Sequence, residues 1–300
     1  MAQEKPKKSG LRQFKTREQW LEARHGGIGG SDAAAILGVD PYKSALEVYC
    51  DKIGIAELQE DNDAMRWGRK LEPLVAEAYE EETGRELKDF GFNIWQGTET
   101  FLIASQDRQI VKPRTGHLEI KTSNYLKEGD LAQEIPVHWQ VQYQHTLAAT
   151  GLDWGGFAIL LNARKLFWVD VERDGGFIDA MLEVEAKFWK RVLDHDPPPP
   201  DASESASRVL KKLYPKDTGA TVVLPPEAAE WDRVRGEAAQ EIKRWEEQKG
   251  AAENNLKAAI GDATFGILGA GTSYSWKYQQ RKAYEVAATE MRVLRRSQKT

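Results

Sequence analysis

The stretch from Phe101 to Ser123, FLIASQDRQIVKPRTGHLEIKTS, decides how the rest of the chain is interpreted. Its two apolar-rich runs are separated by the polar segment KPRTG, a pattern that predicts two adjacent strands joined by a tight turn. Because alternate residues of a strand point to one face, Glu119 and Lys121 are expected to share a face, with Asp107 near the end of the preceding strand. Two carboxylates beside a lysine can bind a divalent cation and activate a water molecule.

Length and composition bound the class of protein. A chain of 300 residues, 41% hydrophobic and 30% charged, suits one large globular domain or a core domain with an appendage. The single cysteine, Cys50, excludes internal disulfides and cysteine-rich metal sites, and a reducing cytosol is the expected compartment. The sequence contains no run long enough for a membrane span and no secretory signal. The net charge of −5 does not exclude nucleic acid, since carboxylates at a metal site lower the total.

Changes in composition divide the chain into four segments. Residues 1–15 are basic and predicted to be disordered, residues 16–195 alternate helix and strand patterns, and residues 196–225 form a proline-rich linker. Residues 226–300 predict a charged helix, a β-hairpin and a basic tail. The expected fold class is therefore α/β, in the broad sense that includes α+β, with a C-terminal helix and hairpin appendage.

Two other segments carry candidate functional side chains, and each has a purely structural alternative. The glycine-rich segment 26–30 leads into Ser31, predicted to cap a helix, and a phosphate could bind there beside Arg24. An ordinary capped helix after a flexible loop explains the same residues. Glu72 lies in the apolar stripe of the helix predicted over 65–82, where it either faces solvent or points inward to the metal site.

In their order along the chain, these motifs resemble those of the YqaJ and lambda exonuclease family of phage-type PD-(D/E)XK nucleases. The resemblance covers about residues 20–193 and implies a restriction-endonuclease-like core, with a central mixed sheet flanked by helices. It rests on the segments RHGGIGGSD, WGRKLEP, ASQD, LEIKTS and WQVQY, which begin at Arg24, Trp67, Ala104, Leu118 and Trp139. The chain departs from the family at Arg108, which follows the aspartate where the family often has glycine.

The resemblance implies a metal-dependent nuclease and assigns residues to its centre. Asp107, Glu119 and the carbonyl of Ile120 would ligate Mg²⁺, for which Mn²⁺ would substitute. Glu72 would hold a second ion or its water shell. Lys121 would orient the attacking water and help to deprotonate it, or stabilise the charged phosphorane.

The resemblance also assigns two glutamines and a phosphate site. Gln140, and with it Gln142, would position the lysine region, the water or a phosphate. Arg24 and Ser31 would grip a terminal 5′-phosphate, which would make the protein a 5′→3′ exonuclease on duplex DNA. Gln142 is counted among the DNA-binding residues as well.

The resemblance implies that the protein binds double-stranded DNA, forms a ring-shaped homo-oligomer and has a single-strand annealing protein as its partner. It also implies that the protein is encoded by a phage or prophage and acts in the cytoplasm of a bacterial host. An endonuclease of the same fold is the first alternative, and it would also cut closed circular DNA. The second is a non-catalytic DNA-binding module, although Asp107, Glu119 and Lys121 are all present. Without the other motifs, a surface ion pair between Glu119 and Lys121 in a structural protein would be the default interpretation.

Overall fold

The chain forms two compact units, Met1–Tyr214 and Pro215–Thr300. The computed structural model describes residues 10–55, 62–269, 271–282, 288 and 291–297. The helices of the first unit are α1 (Arg17–Arg24), α2 (Gly30–Ile36), α3 (Ala45–Lys52), α4 (Asp63–Thr83), α5 (Glu128–Gln133), α6 (Val137–Thr150), α7 (Gly175–Asp194) and α8 (Glu204–Leu213). Its strands are β1 (Gly10–Gln13), β2 (Glu86–Lys88), β3 (Asn93–Gln96), β4 (Ile103–Ala104), β5 (Arg108–Lys112), β6 (Gly116–Ser123), β7 (Trp154–Leu161) and β8 (Lys165–Glu172).

A mixed sheet in the order β2-β5-β6-β7-β8 forms the centre of the first unit. Strands β6 and β7 are parallel, and the other neighbouring pairs are antiparallel. Close approach within the parallel pair requires Gly155, because a methyl group there would lie 1.8 Å from the carbonyl oxygen of His117. The hairpin predicted between the two runs of the opening stretch is confirmed as β5 and β6.

Helices α4 and α6 cover opposite faces of this sheet, and strand alternation decides which residues meet each helix. Val75 and Tyr79 of α4 pack in one apolar cluster with Leu118 and Ile120 of β6. The intervening residues of β6 therefore point toward α6. The predicted mixed sheet flanked by helices is confirmed, and it places the polar face of β6 under α6.

The N-terminal segment differs from the expectation of a disordered arm over residues 1–15. Residues 10–13 form β1, which pairs antiparallel with β3, so that Leu11 lies opposite Trp95. Strand β3 pairs in turn with β4, which gives a second, three-stranded sheet. Backbone pairing over a long sequence separation orders this segment, and composition does not report such pairing. Residues 1–9 lie outside the described part of the chain.

The first unit also extends further than the boundary predicted at residue 195. Helix α8 lies inside the expected linker 196–225, yet its Ser205 and Val209 are buried. The Ser205 hydroxyl donates a hydrogen bond to the carboxylate of Glu47 and accepts one from the Ser44 amide, both of which belong to the α3 region. The polyproline segment is therefore followed by a helix that packs on the core.

The second unit contains the predicted long helix and hairpin. Helix α9 (Ala228–Ile260) ends at Gly261, and β9 (Phe265–Leu268) pairs antiparallel with β10 (Thr272–Ser275). The α9 side chains are exposed or half-buried along its whole length. Among the residues that the structure describes, no helix is both long and apolar enough to cross a membrane.

Candidate active site

Strand β6 carries a row of polar side chains on the face that meets α6. Glu119 Oε1 lies 2.8 Å from the Nζ of Lys121, and Glu119 Oε2 lies 3.0 Å from the Nε2 of His117. These residues are two apart in a strand, so their side chains share one face. Glu119 is almost completely buried and is held from both sides.

Asp107 directly precedes β5 and reaches across to the middle of β6. Its Oδ2 accepts a hydrogen bond of 2.8 Å from the backbone amide of Ile120, the residue between Glu119 and Lys121. Asp107 and Lys121 line one cavity. The opening stretch of sequence therefore brings its two carboxylates and its lysine together, as predicted.

The two carboxylates have opposite pKa shifts. Burial, followed by the negative charges of Glu119 and Glu72, raises the pKa of Asp107 well above its ordinary value. Burial also acts to raise the pKa of Glu119, but Lys121 and then His117 outweigh it and lower the pKa. The pair is therefore unfavourable in its fully ionised form unless a further positive charge lies beside it.

A divalent cation fits this need, and the donor set suits Mg²⁺ or Mn²⁺. Asp107 and Glu119 offer carboxylate oxygens, and Ile120 between the strand's charged residues offers a backbone carbonyl. Mg²⁺ is commonly bound by one or two carboxylates, with water and substrate phosphate completing its shell. Among the described residues, no group of three or more His, Cys, Asp or Glu side chains is arranged to hold a metal ion. The ion would therefore depend on the carbonyl, water and substrate for its remaining ligands.

Of the two glutamines of α6 that we expected at the site, only Gln142 contacts the charged residues of β6. Gln142 donates from Nε2 to Glu119 Oε1 at 2.6 Å, and its Oε1 accepts a bond of 2.9 Å from Lys121 Nζ. Gln140, which we expected to position the lysine region together with Gln142, instead donates to the carbonyl of Ile135. Two residues along a helix differ by about 200° in direction, so only one of the pair can face β6.

Glu72 points inward, which decides between the two alternatives that its sequence position allowed. It lines the same cavity as Asp107. Its Oε1 lies 2.6 Å from Nη1 of Arg108, and Nη2 of Arg108 lies 3.3 Å from Oδ2 of Asp89. The arginine that departs from the family pattern is therefore the direct partner of the glutamate expected to hold a second ion.

Arg24 and Ser31 are also in contact, as a phosphate site would require. Arg24 Nη2 donates to Ser31 Oγ at 3.0 Å, and its guanidinium lies 4.8 Å from the ring centroid of Trp20. The prediction that Ser31 caps α2 was wrong, because Gly29 occupies the N-cap position. The serine hydroxyl is left in the first turn of the helix, exposed and beside the arginine.

A buried cluster of ion pairs stabilises the loop between Arg24 and Ser31. Asp32 Oδ1 lies 2.8 Å from Lys43 Nζ, and its Oδ2 lies 2.7 Å from Lys52 Nζ. Lys52 also donates to the carbonyl oxygen of Arg24 at 3.0 Å. Although burial opposes ionisation, the positive charges of Lys43, Lys52 and Arg24 hold the pKa of Asp32 well below its usual range. The ion pair with Asp32 therefore holds Lys52 where it bonds the backbone of Arg24.

His145 of α6 joins the loop to the strand segment before Asp107. Its Nε2 lies 3.0 Å from the carbonyl oxygen of Ile28 and 2.8 Å from that of Ile103, while its Nδ1 lies 2.8 Å from Glu185 Oε1. Both ring nitrogens thus face acceptors, as suits a protonated imidazolium. Burial lowers the pKa of His145, but the charge and hydrogen bond of Glu185 outweigh burial, and the net shift is upward.

The ion pair of His145 with Glu185 predicts that the free energy of unfolding declines at alkaline pH. A folded-state pKa above the unfolded value of about 6.5 makes the stabilisation complete below that value and lost as the pH rises through the folded-state pKa. We expect Glu185→Gln to lower the free energy of unfolding at neutral pH by about 3 kcal/mol and to remove this alkaline decline. Urea unfolding between pH 6 and pH 9 measures both effects.

The exposed Glu183 on the same helix gives a matched control for that prediction, because Glu183→Gln removes the same charge without touching His145. An unchanged alkaline decline in Glu185→Gln would contradict the assignment of His145 as the titrating group.

One cavity of about 1200 Å³ connects the carboxylate–lysine centre to the arginine and serine of the loop. Asp107 and Lys121 line it together with Arg24 and Ser31. Its other cationic side chains are Arg17, Lys43, Arg69 and Arg108. Its carboxylates besides Asp107 are Asp40, Glu47, Asp51, Glu72 and Asp89. Lysine and arginine side chains beside the Asp107 centre suit a polyanion that meets a metal ion.

His117 is the site residue that sequence reasoning missed. It is fully buried, stacks at 5.4 Å from the ring of Tyr143, and contacts Glu119. The signal was present, because residues 117, 119 and 121 alternate along one predicted strand.

Comparison with known proteins identifies relatives for most of the chain. Residues 19–153 match the model of the YqaJ-like viral recombinase domain. The protein YqaJ of Bacillus subtilis (strain 168) is 33% identical over 262 residues, which cover 85% of this chain and 81% of that protein. Protein D345L of African swine fever virus is 33% identical over 63 residues, which cover 21% of this chain and 18% of that protein.

A solved structure matches about two thirds of the chain. The alkaline exonuclease LHK-Exo of Laribacter hongkongensis is 25% identical, with a TM-score of 0.51, and the match covers 65% of this chain and 99% of that one. The PD-(D/E)XK type of fold expected from the motifs is thereby supported by sequence and by structure. The chain belongs to the YqaJ-like viral recombinase family.

Proposed function

We propose that this protein is a metal-dependent exonuclease that digests duplex DNA from its 5′ ends, as part of phage-type recombination. The observation that carries the proposal is the single cavity in which Asp107 and Lys121 meet Arg24 and Ser31. A hydrolytic centre alone could cut anywhere along a strand, whereas a second anion site at a fixed distance selects a terminus. The similarity to an alkaline exonuclease supports the same activity.

Each residue of the centre would have its own role in hydrolysis. A bound Mg²⁺ would supply Lewis acidity, activating water and neutralising charge on the phosphate. Asp107, Glu119 and the Ile120 carbonyl would hold it. Lys121, whose ammonium is fixed between Glu119 and Gln142, would orient the water and stabilise negative charge on the phosphate oxygens.

The loop would recognise the end of the strand. A terminal phosphate carries more negative charge than an internal one, so a guanidinium discriminates between them. Arg24 stacks on Trp20 and is held at its backbone by Lys52, which pre-organises it for this contact. The Ser31 hydroxyl would add a hydrogen bond to the same phosphate.

One set of substrates tests the proposal. Linear, nicked and covalently closed duplex DNA would be incubated in Mg²⁺, with and without a 5′-phosphate on the linear ends. We expect rapid digestion of phosphorylated linear DNA, slow digestion of 5′-hydroxyl ends, survival of closed circles, and no cleavage in EDTA. Cleavage of closed circles would favour the endonuclease of the same fold, and binding of every substrate without cleavage would favour the non-catalytic module.

The two glutamines of α6 provide a matched pair of variants. Gln142→Ala removes the amide that holds both Glu119 and Lys121, and we expect its rate of hydrolysis to fall about 10- to 100-fold. Gln140→Ala removes a contact with the backbone of Ile135 and should retain a near-normal rate. Initial rates on phosphorylated linear DNA compare them, and equal losses would contradict the separate placement of the two side chains.

Substitution of Arg108 is expected to change how strongly a metal ion stabilises the protein. Arg108→Ala leaves the carboxylates of Glu72 and Asp89 and the backbone carbonyl of Asp107 without their guanidinium donor. We therefore expect the free energy of unfolding in EDTA to fall by about 2 kcal/mol, less than for a fully buried pair. Mn²⁺ should raise the Tm of this variant more than that of the unmodified protein, because the ion replaces the lost positive charge. Thermal unfolding in EDTA and in Mn²⁺ measures the difference. Arg114→Ala, in the turn after β5, is the control, and an equal gain in Tm for both proteins would contradict the prediction.

A ring-shaped homo-oligomer and a single-strand annealing partner complete the proposal. A ring around DNA would give processivity without a strongly basic surface, in keeping with the net charge of −5. Light scattering on the purified protein tests the ring, and a monomer that digests DNA processively would remove it. Co-purification of an annealing protein encoded alongside tests the partner.

A further inference from the structure

We infer that the guanidinium of Arg108 takes the place of a second divalent cation, so that the centre binds one ion and keeps a fixed positive charge beside Glu72. The inference rests on the proposed function, which assigns the one ion to Asp107 and Glu119. It also changes the role expected for Glu72, from ligand of a second ion to partner of an arginine.

The register of the central sheet directs the Arg108 side chain toward α4. Arg108 lies opposite Leu118 in the antiparallel pair of β5 and β6, and residues directly opposite each other point to the same face. Leu118 packs in one cluster with Val75 of α4, and Glu72 lies one turn before Val75 on the same side of that helix. Glu119, the next residue of β6, points the other way, toward α6. Arg108 and Glu72 therefore meet on the face of the sheet opposite Glu119.

The guanidinium fills the space between Glu72 and the main chain of Asp107. Nη1 of Arg108 donates to Glu72 Oε1 at 2.6 Å and to the backbone carbonyl of Asp107 at 2.5 Å, while Nη2 lies 3.3 Å from Oδ2 of Asp89. A Mg²⁺ ion would have to lie about 2.0–2.1 Å from a carboxylate oxygen that binds it, and Oε1 of Glu72 already contacts the guanidinium. An ion bound to that oxygen would therefore have to displace Arg108.

Displacement of Arg108 is unfavourable because its side chain is anchored and permanently charged. The residue is only 8% exposed, and an arginine side chain keeps its proton in proteins. Moving it away would break both hydrogen bonds of Nη1 and the ion pair with Asp89. The guanidinium is therefore a built-in part of the folded centre.

Charge in the centre also suits one divalent ion rather than two. Its charged side chains comprise four carboxylates and two cations, namely Glu72, Asp89, Asp107, Glu119, Arg108 and Lys121. Two negative charges therefore remain, which one divalent ion balances, and any positive charge on His117 beside Glu119 would lower this demand further. Without Arg108, one ion would leave a negative charge beside Glu72 and Asp89, where a second ion could bind.

A permanently placed guanidinium would make hydrolysis depend on one bound ion instead of two. In centres with two ions, the pair stabilises the attacking and the leaving oxygen of the displacement. Arg108 lines the same cavity as Asp107 and Lys121, so its positive charge would be present there at every Mg²⁺ concentration.

Counting bound Mn²⁺ tests the inference without any DNA. The EPR signal of free Mn²⁺ is followed while the full chain is titrated, and we expect about one bound ion per chain for the unmodified protein. Arg108→Ala should bind about two ions, and a pair that lies about 3.5–4 Å apart should give a spin-coupled spectrum. Arg108→Lys keeps the positive charge and should still bind about one ion.

Two variants locate the second ion of Arg108→Ala. The double variant Arg108→Ala/Glu72→Gln should bind about one ion again, because the carboxylate that would hold the second is lost. Arg114→Ala also removes a positive charge, but Arg114 does not line the cavity, so the count should stay at about one. Two bound ions or none in the unmodified protein would overturn the inference, and so would the absence of a second ion in Arg108→Ala that circular dichroism shows to be folded.

Glu72→Gln by itself decides the question if Arg108→Ala fails to fold. The inference expects an unchanged count, because Glu72 contacts Arg108 and not the ion. A lower count in Glu72→Gln would overturn the inference. One bound Mn²⁺ in a protein that fails to cut DNA in Mg²⁺ would refute the proposed function while leaving this inference standing.

Discussion

Lys121→Ala is expected to lower the rate of phosphodiester hydrolysis at least about 1,000-fold while DNA affinity changes by only a few-fold. The ammonium lies 2.8 Å from Glu119 Oε1 and 2.9 Å from Gln142 Oε1, which fixes it on the face of β6 that carries Glu119. Alanine removes the group proposed to orient the water, but it leaves Arg24, Ser31 and the other cavity side chains proposed to contact DNA. Single-turnover rates in Mg²⁺ and affinity in EDTA separate the two effects.

Lys165→Ala is the control for that prediction. Lys165 is an exposed lysine with a carboxylate partner, Glu128, but it lies outside the cavity. Its substitution should change neither rate nor affinity. Mg²⁺-dependent turnover close to normal in Lys121→Ala would show that the catalytic centre lies elsewhere.

Arg24→Ala is expected to slow digestion of 5′-phosphorylated ends by roughly 10- to 100-fold, because a charge-assisted hydrogen bond to phosphate contributes about 1.5–3 kcal/mol. Digestion of 5′-hydroxyl ends should change little, so the preference for phosphorylated ends should largely disappear. The fold should persist, since Asp32 keeps both Lys43 and Lys52 as partners. Rates on matched oligonucleotide duplexes with and without the phosphate measure the preference.

Arg164→Ala in the β7–β8 turn controls for the loss of one positive charge, because Arg164 is exposed and does not line the cavity. Retention of the full preference for phosphorylated ends in Arg24→Ala would exclude Arg24 as the phosphate ligand. A loss of activity equal on both kinds of end would place Arg24 in general DNA binding instead.

Much of the site followed from local sequence rules. Alternation along one strand placed Glu119 and Lys121 on the same face, and the polar segment before Gly116 predicted the hairpin that brings Asp107 back to them. Helix α6 likewise ends by a local rule, because Gly151 adopts the left-handed conformation of its C-cap, with φ of 74°. Each of these features depends on residues a few positions apart, whose geometry the backbone fixes.

Tertiary structure decided which partners the site residues have, because these contacts depend on which face of a helix or strand meets each neighbouring element. Gln142 and Gln140 are both plausible in sequence, and only the packing of α6 over β6 turns Gln142 toward Glu119. In the same way, the pairing of Glu72 with Arg108 joins residues 36 positions apart.

At both ends of the first unit, too, long-range packing decided structure that composition did not predict. Composition suggested an unstructured arm and a linker, but β1 pairs with β3, and α8 buries Ser205 and Val209. The sequence alone determined the carboxylates, the lysine and the strands that carry them, since period and turn chemistry are local. The partners of those side chains were decided by long-range packing, because helix rotation and strand order depend on the whole core rather than on neighbours in the chain.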